Sequence, residues 1–164
     1  KTYAMTGWRL GYLSASEEIV TLVNKLMEPL TSCASAISQK AVETALNGPQ
    51  NCVEEFRSSY QRRRDKVVSI LGPHGLLGSV PKGAFYALVD ISSTEMDSDT
   101  FVRTLLDESN VAAAPGATFG HQSSQYVRIS FATAEEQLVE GVKRIRDFIS
   151  GKASSRKVPL VSNC

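Results

Sequence analysis

The chain has 164 residues, 42% hydrophobic and 21% charged, with 18 basic against 17 acidic side chains and a formal net charge of +1. A chain of about 150 residues buries roughly 70% of its unfolded surface, so one domain, or one and a half, with a real core is expected. The balanced charge supplies no field to gather nucleic acid or an anionic membrane, and no apolar run approaches the ~18 residues of a span. Cys33, Cys52 and Cys164 are too few and too widely spaced for a disulfide framework or a paired metal site. They suit a reducing intracellular compartment, either the cytoplasm or an organelle.

In chain order, Leu10 to Ala15 is short and apolar and predicts a buried strand ending at Ser16. Ser16 is placed to cap a helix whose first turn carries Glu17 and Glu18, where the helix dipole favours negative charge. Its apolar stripe is Ile19, Leu22, Val23, Leu26 and Met27, and Pro29 is expected to stop it. A second helix is predicted from Thr31 to Leu46, closed by Asn47-Gly48-Pro49. Its small residues around Ser32 to Ser38 suggest close approach to another backbone.

Asn51 with Glu54 is a variant capping box, and Val53, Phe56, Tyr60, Val67, Ile70 and Leu71 then mark a helix of about five turns. A helix of roughly 30 Å suits a link between two lobes. Arg62-Arg63-Arg64 is expected to lie on its solvated face. Gly72-Pro73-His74-Gly75 ends it, and the texture becomes α+β. A strand is predicted over Ala84 to Ile91, a helix over Asp99 to Glu108, a strand over Val111 to Ala114, a turn at Pro115-Gly116, and an alternating strand over Tyr126 to Phe131. In that last strand Val127 and Ile129 share one face, and Tyr126, Arg128 and Ser130 the other. Thr133 with Glu136 forms another capping box before a helix that buries Leu138, Val142, Ile145 and Ile149. From Gly151 onward the chain reads as a frayed tail. His74 and His121 sit in separate glycine-rich turns with no ligand partner, so no metal site is expected.

The chain opens on Lys1-Thr2-Tyr3-Ala4-Met5-Thr6-Gly7-Trp8-Arg9-Leu10-Gly11-Tyr12. This run resembles the cofactor-lysine signature of the class I pyridoxal-phosphate aminotransferases. Its wording is most similar to the aspartate aminotransferase-like subgroup of bacterial and plant type. The resemblance makes Lys1 the residue whose amine condenses with the aldehyde of pyridoxal 5'-phosphate and later shuttles the substrate proton. A free lysine has a pKa of about 10.4, so that role calls for burial and neighbouring cations to favour the neutral amine. Arg9 matches the family's arginine against the cofactor phosphate, a task suited to its planar fork. Gly7 and Gly11 on either side are expected to let the backbone turn tightly. Arg128 resembles the arginine that binds the substrate α-carboxylate. Pro81-Lys82-Gly83-Ala84-Phe85-Tyr86 and Pro115-Gly116-Ala117-Thr118-Phe119-Gly120 resemble the turn segments flanking that strand.

The resemblance runs from Lys1 to about Ile149 and implies an α/β chain of fold type I, the end of a large cofactor-binding domain plus a small α+β domain. Residues 1–50 would be the large-domain remnant, 51–72 the linking helix, 73–150 the small domain and 151–164 a disordered tail. The implied reaction moves an amino group between an amino acid and a 2-oxo acid, in a homodimer when full-length, with no role for metal, nucleic acid or membrane. In the family the signature lies inside a longer enzyme, downstream of the acidic partner of the pyridine nitrogen and of the phosphate cradle. The chain is therefore expected to be a C-terminal part, inactive alone. The alternative is a truncated, non-catalytic isoform whose residues 75–149 bind a small carboxylate through Arg128 or pair with a full-length subunit.

Overall fold

In the computed structural model, which describes residues 1–155, the chain forms two compact units, Lys1–Arg57 and the residues from Ser58 onward. The first unit opens on a 3-10 turn at Thr6–Trp8. Helices α1 (Glu17–Thr31) and α2 (Ala36–Asn47) follow, and α3 (Asn51–Leu71) starts. The boundary between the units falls inside α3. The second unit adds β1 (Tyr86–Asp90), α4 (Ser98–Ser109), β2 (Ala114–Pro115), β3 (Tyr126–Ser130) and α5 (Glu135–Ser155).

Several boundaries in the first unit differ from expectation. Leu10 to Ala15 is not a strand, and no strand lies among residues 1–57 to pair with it. An extended segment without a ladder partner leaves its N–H and C=O groups to water. Pro29 does not stop α1 but sits within its last turn, and the helix ends where Ser32 takes φ 61°. Thr31 therefore belongs to α1, and α2 begins only at Ala36. Ser16 and Ser35 hold the N-cap positions of α1 and α2 without a side-chain capping bond. The α1 stripe is exposed: Ile19 keeps 50% of its surface and Leu26 63%.

The second unit contains a three-stranded antiparallel sheet in the order β1-β3-β2. Leu88 faces Arg128 across the first pair, and Ala114 faces Arg128 across the second. The ladder at β2 is only two residues long and ends in Pro115, which has no N–H to donate. Val111 and Ala113, expected in this strand, instead pack on the core from outside the ladder.

Alternation decides which side of the sheet is buried. Ala87, Val89, Val127 and Ile129 point into the core, where they meet Leu138, Val142, Ile145, Phe148 and Ile149 of α5. Val67 and Leu71 of α3 and Phe101 and Leu105 of α4 close it. The rings of Phe101 and Phe148 meet edge to face, 5.2 Å apart at 84°.

The caps and turns explain the rest. Asp97 accepts from the amides of Asp99 and Thr100 at 3.0 and 2.9 Å, a side-chain cap that starts α4. Gly75 ends the turn after α3 at φ 67°, in the left-handed region that glycine adopts without strain. At Gly116 a side chain would run into the carbonyls of Ser123 and Tyr126, so the backbone passes where only glycine fits. Helix α5 continues through Ser155, so residues 151–155 are helical rather than frayed. The remainder of the expected tail, 156–164 with Cys164, lies outside the described residues.

The arginine run is not simply a solvated face. Arg63 is half-buried and donates to the Phe131 carbonyl at 3.2 Å, and Arg64 donates to the Pro81 carbonyl at 3.4 Å while pairing with Asp65. Lys66 pairs with Glu135 at the start of α5. No helix among the described residues is long and apolar enough to cross a membrane, and no group of three potential ligands gathers to hold a metal ion.

Candidate functional site

Lys1 and Arg9 belong to the first unit. Lys1 is exposed, and its carbonyl accepts from the amide of Ala4 at 3.0 Å, closing a turn in which Ala4 takes φ 54°. Arg9 ends the 3-10 turn in the left-handed region at φ 52°. Its Nη1 donates to the Thr6 carbonyl at 3.1 Å. The tight bends therefore fall on Ala4 and Arg9 rather than on Gly7 and Gly11, where an added side chain would meet open space. Tyr3 donates to Gln50 at 2.8 Å and ties the segment to the loop before α3.

The donors of this segment suit pyridoxal phosphate chemically. A primary amine answers its aldehyde, and a guanidinium answers its phosphate. The Arg9 side chain spends one nitrogen on the Thr6 carbonyl and makes no other hydrogen bond among the described residues, which leaves most of its fork for an anion. Residues 1–57 do not provide the burial that the lysine role calls for, since Lys1 and Arg9 are both exposed.

Arg128 belongs to the second unit, on the central strand of the sheet. Val127 and Ile129 turn into the core, so Arg128 stands on the opposite face, half-buried, as the alternation predicts. Its guanidinium carbon lies 4.3 Å from the ring centre of Tyr86 and 4.2 Å from that of Phe119. Both distances are within cation–π range. Among the described residues the guanidinium makes no hydrogen bond and no ion pair, so its N–H groups remain to be satisfied by solvent or a ligand.

Sequence reasoning singled out the segments containing Tyr86 and Phe119 but not the two rings. The signal was present in part. Tyr86 pairs with Ser130, and that register puts it diagonal to Arg128 on the same face. Phe119 carries no such signal, because a 3-10 turn at Gly116–Phe119 rather than a ladder delivers it.

Two carboxyls elsewhere in the second unit sit below their ordinary range. Asp97 is lowered first by the backbone hydrogen bond from Thr100 and then by that residue's hydroxyl, 2.7 Å away. Glu135 is lowered chiefly by its hydrogen bond to Lys66.

Residues 1–145 match the family model described as aminotransferase class I and II. The chain belongs to this family. It is 43% identical over 156 residues to an aspartate aminotransferase of Rhizobium meliloti, an alignment that covers 88% of this chain and 38% of that protein. To an aromatic-amino-acid aminotransferase 2 of Thermococcus litoralis it is 39% identical over 154 residues, covering 93% of this chain and 40% of that one. The crystal structure of an aromatic aminotransferase from Pyrococcus horikoshii superposes with a TM-score of 0.83 at 39% identity, covering 93% of this chain and 41% of that chain. The mixed α/β architecture is thus that of the pyridoxal-phosphate-dependent aminotransferases, a family generally dependent on that cofactor. The chain spans about two fifths of the length of these relatives.

Proposed function

We propose that these residues serve amino-group transfer between an amino acid and a 2-oxo acid as the C-terminal part of a longer, dimeric aminotransferase, and that alone they do not turn over. In this reading residues 1–50 complete a large domain and 73–150 form a small one. Lys1 and Arg9 would hold pyridoxal phosphate, which supplies an electron sink for charge developing at the substrate Cα when bound. Arg128 takes the substrate α-carboxylate with two parallel N–H donors and so fixes the direction of the Cα–H bond. The Lys1 amine would take up and return the proton of the substrate Cα.

The observation that carries the reading is the Arg128 guanidinium. It projects from a core-anchored strand and has no carboxylate partner among the described residues. The N–H donors of this half-buried guanidinium are therefore open to solvent or to a ligand carboxylate, which can accept two of them in parallel.

Residues 1–164 are expected to form no sustained 2-oxo acid when given pyridoxal phosphate, an amino donor and an acceptor, whereas the longer polypeptide does. Borohydride reduction of the longer polypeptide, followed by peptide mapping, should place the pyridoxyl label on Lys1. Turnover by residues 1–164 that is lost in Lys1→Ala overturns the inactivity, and a label on another side chain overturns the role of Lys1. The self-contained core of the second unit favours a second reading, a non-catalytic module that binds a carboxylate or pairs with a full-length subunit. Carboxylate binding to residues 1–164 in a cell that makes no longer form supports the module.

A further inference from the structure

We propose that Tyr86 and Phe119 are positioning residues that hold the Arg128 guanidinium between them and so set the direction from which a carboxylate reaches it. The inference rests on the reading of Arg128 as a carboxylate binder and adds what orients it. Arginine has a long, flexible stem, and a half-exposed guanidinium without hydrogen bonds samples many rotamers. Here it has no polar tether among the described residues, yet two aromatic rings sit 4.3 and 4.2 Å from its central carbon. One comes from a strand beside the central strand, the other from the turn that follows the strand on its other side. Tyr86 is on β1, and Phe119 lies four residues past Pro115, the last residue of β2.

Ring faces attract the cation but accept none of its N–H groups in the way an oxygen does, so the rings restrain the arginine without consuming its donors. A carboxylate side chain in their place would fix the arginine equally well and neutralise it. Both anchors are themselves held. Tyr86 is fixed by ladder pairing with Ser130 and by the Phe85 ring, 4.4 Å away. Phe119 ends a turn whose start at Gly116 admits no side chain. A planar carboxylate approaching the free N–H edge therefore meets a donor pair already oriented, which lowers the ordering cost of binding. Lysine, with a point charge in place of the fork, would not be held in register by the same rings.

The test is an NMR titration of the full 164-residue chain with propionate, following the Arg128 Nε–Hε signal and its order parameter. Phe119→Leu and Tyr86→Leu keep bulk while removing the ring. Each should weaken propionate binding by roughly 2- to 10-fold and lower the Arg128 order parameter. Phe119→Tyr and Tyr86→Phe keep the ring and should restore both, which a role in folding alone does not predict for the side-chain signal. Leucine variants with an unchanged Arg128 order parameter overturn the proposal, whatever happens to binding. Wild-type chain that binds propionate no better than Arg128→Lys overturns the carboxylate reading instead, and the order parameters still decide the role of the rings.

Discussion

The two units are built from similar helical sequence and yet differ in what they bury. Every buried hydrophobic residue among those described lies between Val67 and Ile149, whereas residues 1–57 contribute only Ser38 to the buried set. Helix α1 is as amphipathic as α4 by pattern, but its leucines stay in solvent while Phe101 and Leu105 of α4 are wholly enclosed. Amphipathic periodicity therefore specifies a helix and a face, but stability requires something for that face to meet. The second unit meets this condition with its own sheet.

That contrast can be broken or sharpened by experiment. The largest expected effect is at Phe101, where truncation to alanine leaves a void against Phe148 and should cost about 3–5 kcal/mol in urea unfolding. A loss below about 1 kcal/mol would mean that the second unit is not the stable one. Gly116→Ala should be nearly as severe, since the new methyl group meets backbone carbonyls that have no slack. Native-state hydrogen exchange should show β3 and α5 amides opening only with global unfolding and α1 amides exchanging far faster. Equal protection in both units would remove the distinction.

The pH dependence is a smaller effect. Asp97 and Glu135 are depressed in the folded state, so their contribution is complete above the unfolded values of about 3.9 and 4.3 and is lost as pH falls through the lower folded values. The urea midpoint of the second unit should fall below about pH 4, and in Asp97→Asn this fall should shrink while the cap survives. The smallest effect is expected at Leu26→Ala, which should stay within about 0.5 kcal/mol because the side chain is already in solvent.

Much of the second unit was legible in sequence. The stripe Leu138, Val142, Ile145 and Ile149 is buried as its spacing predicts, and the alternation in Tyr126 to Ser130 placed Arg128 on the face opposite the core. The opening motif pointed to the family before any fold was described, because fixed spacing over the run from Lys1 to Tyr12 is hard to match by chance.

Other features were settled only in three dimensions. Leu10 to Ala15 and Val111 to Ala114 have similar strand-like texture, and one forms no ladder while the other forms a short stub. Arg63 and Arg64 read as surface charges until the Phe131 and Pro81 carbonyls come near them. The two rings at Arg128 come from residues 42 positions before it and nine before it, and local pattern does not place both. Helical hydrogen bonds close within four residues, so the sequence by itself determined that these helices form and which face of each is apolar, while whether that face is buried depended on the packing around it. Ladder pairs and cation–π contacts join distant residues, so the extent of each strand and the surroundings of Arg128 were decided by the tertiary structure.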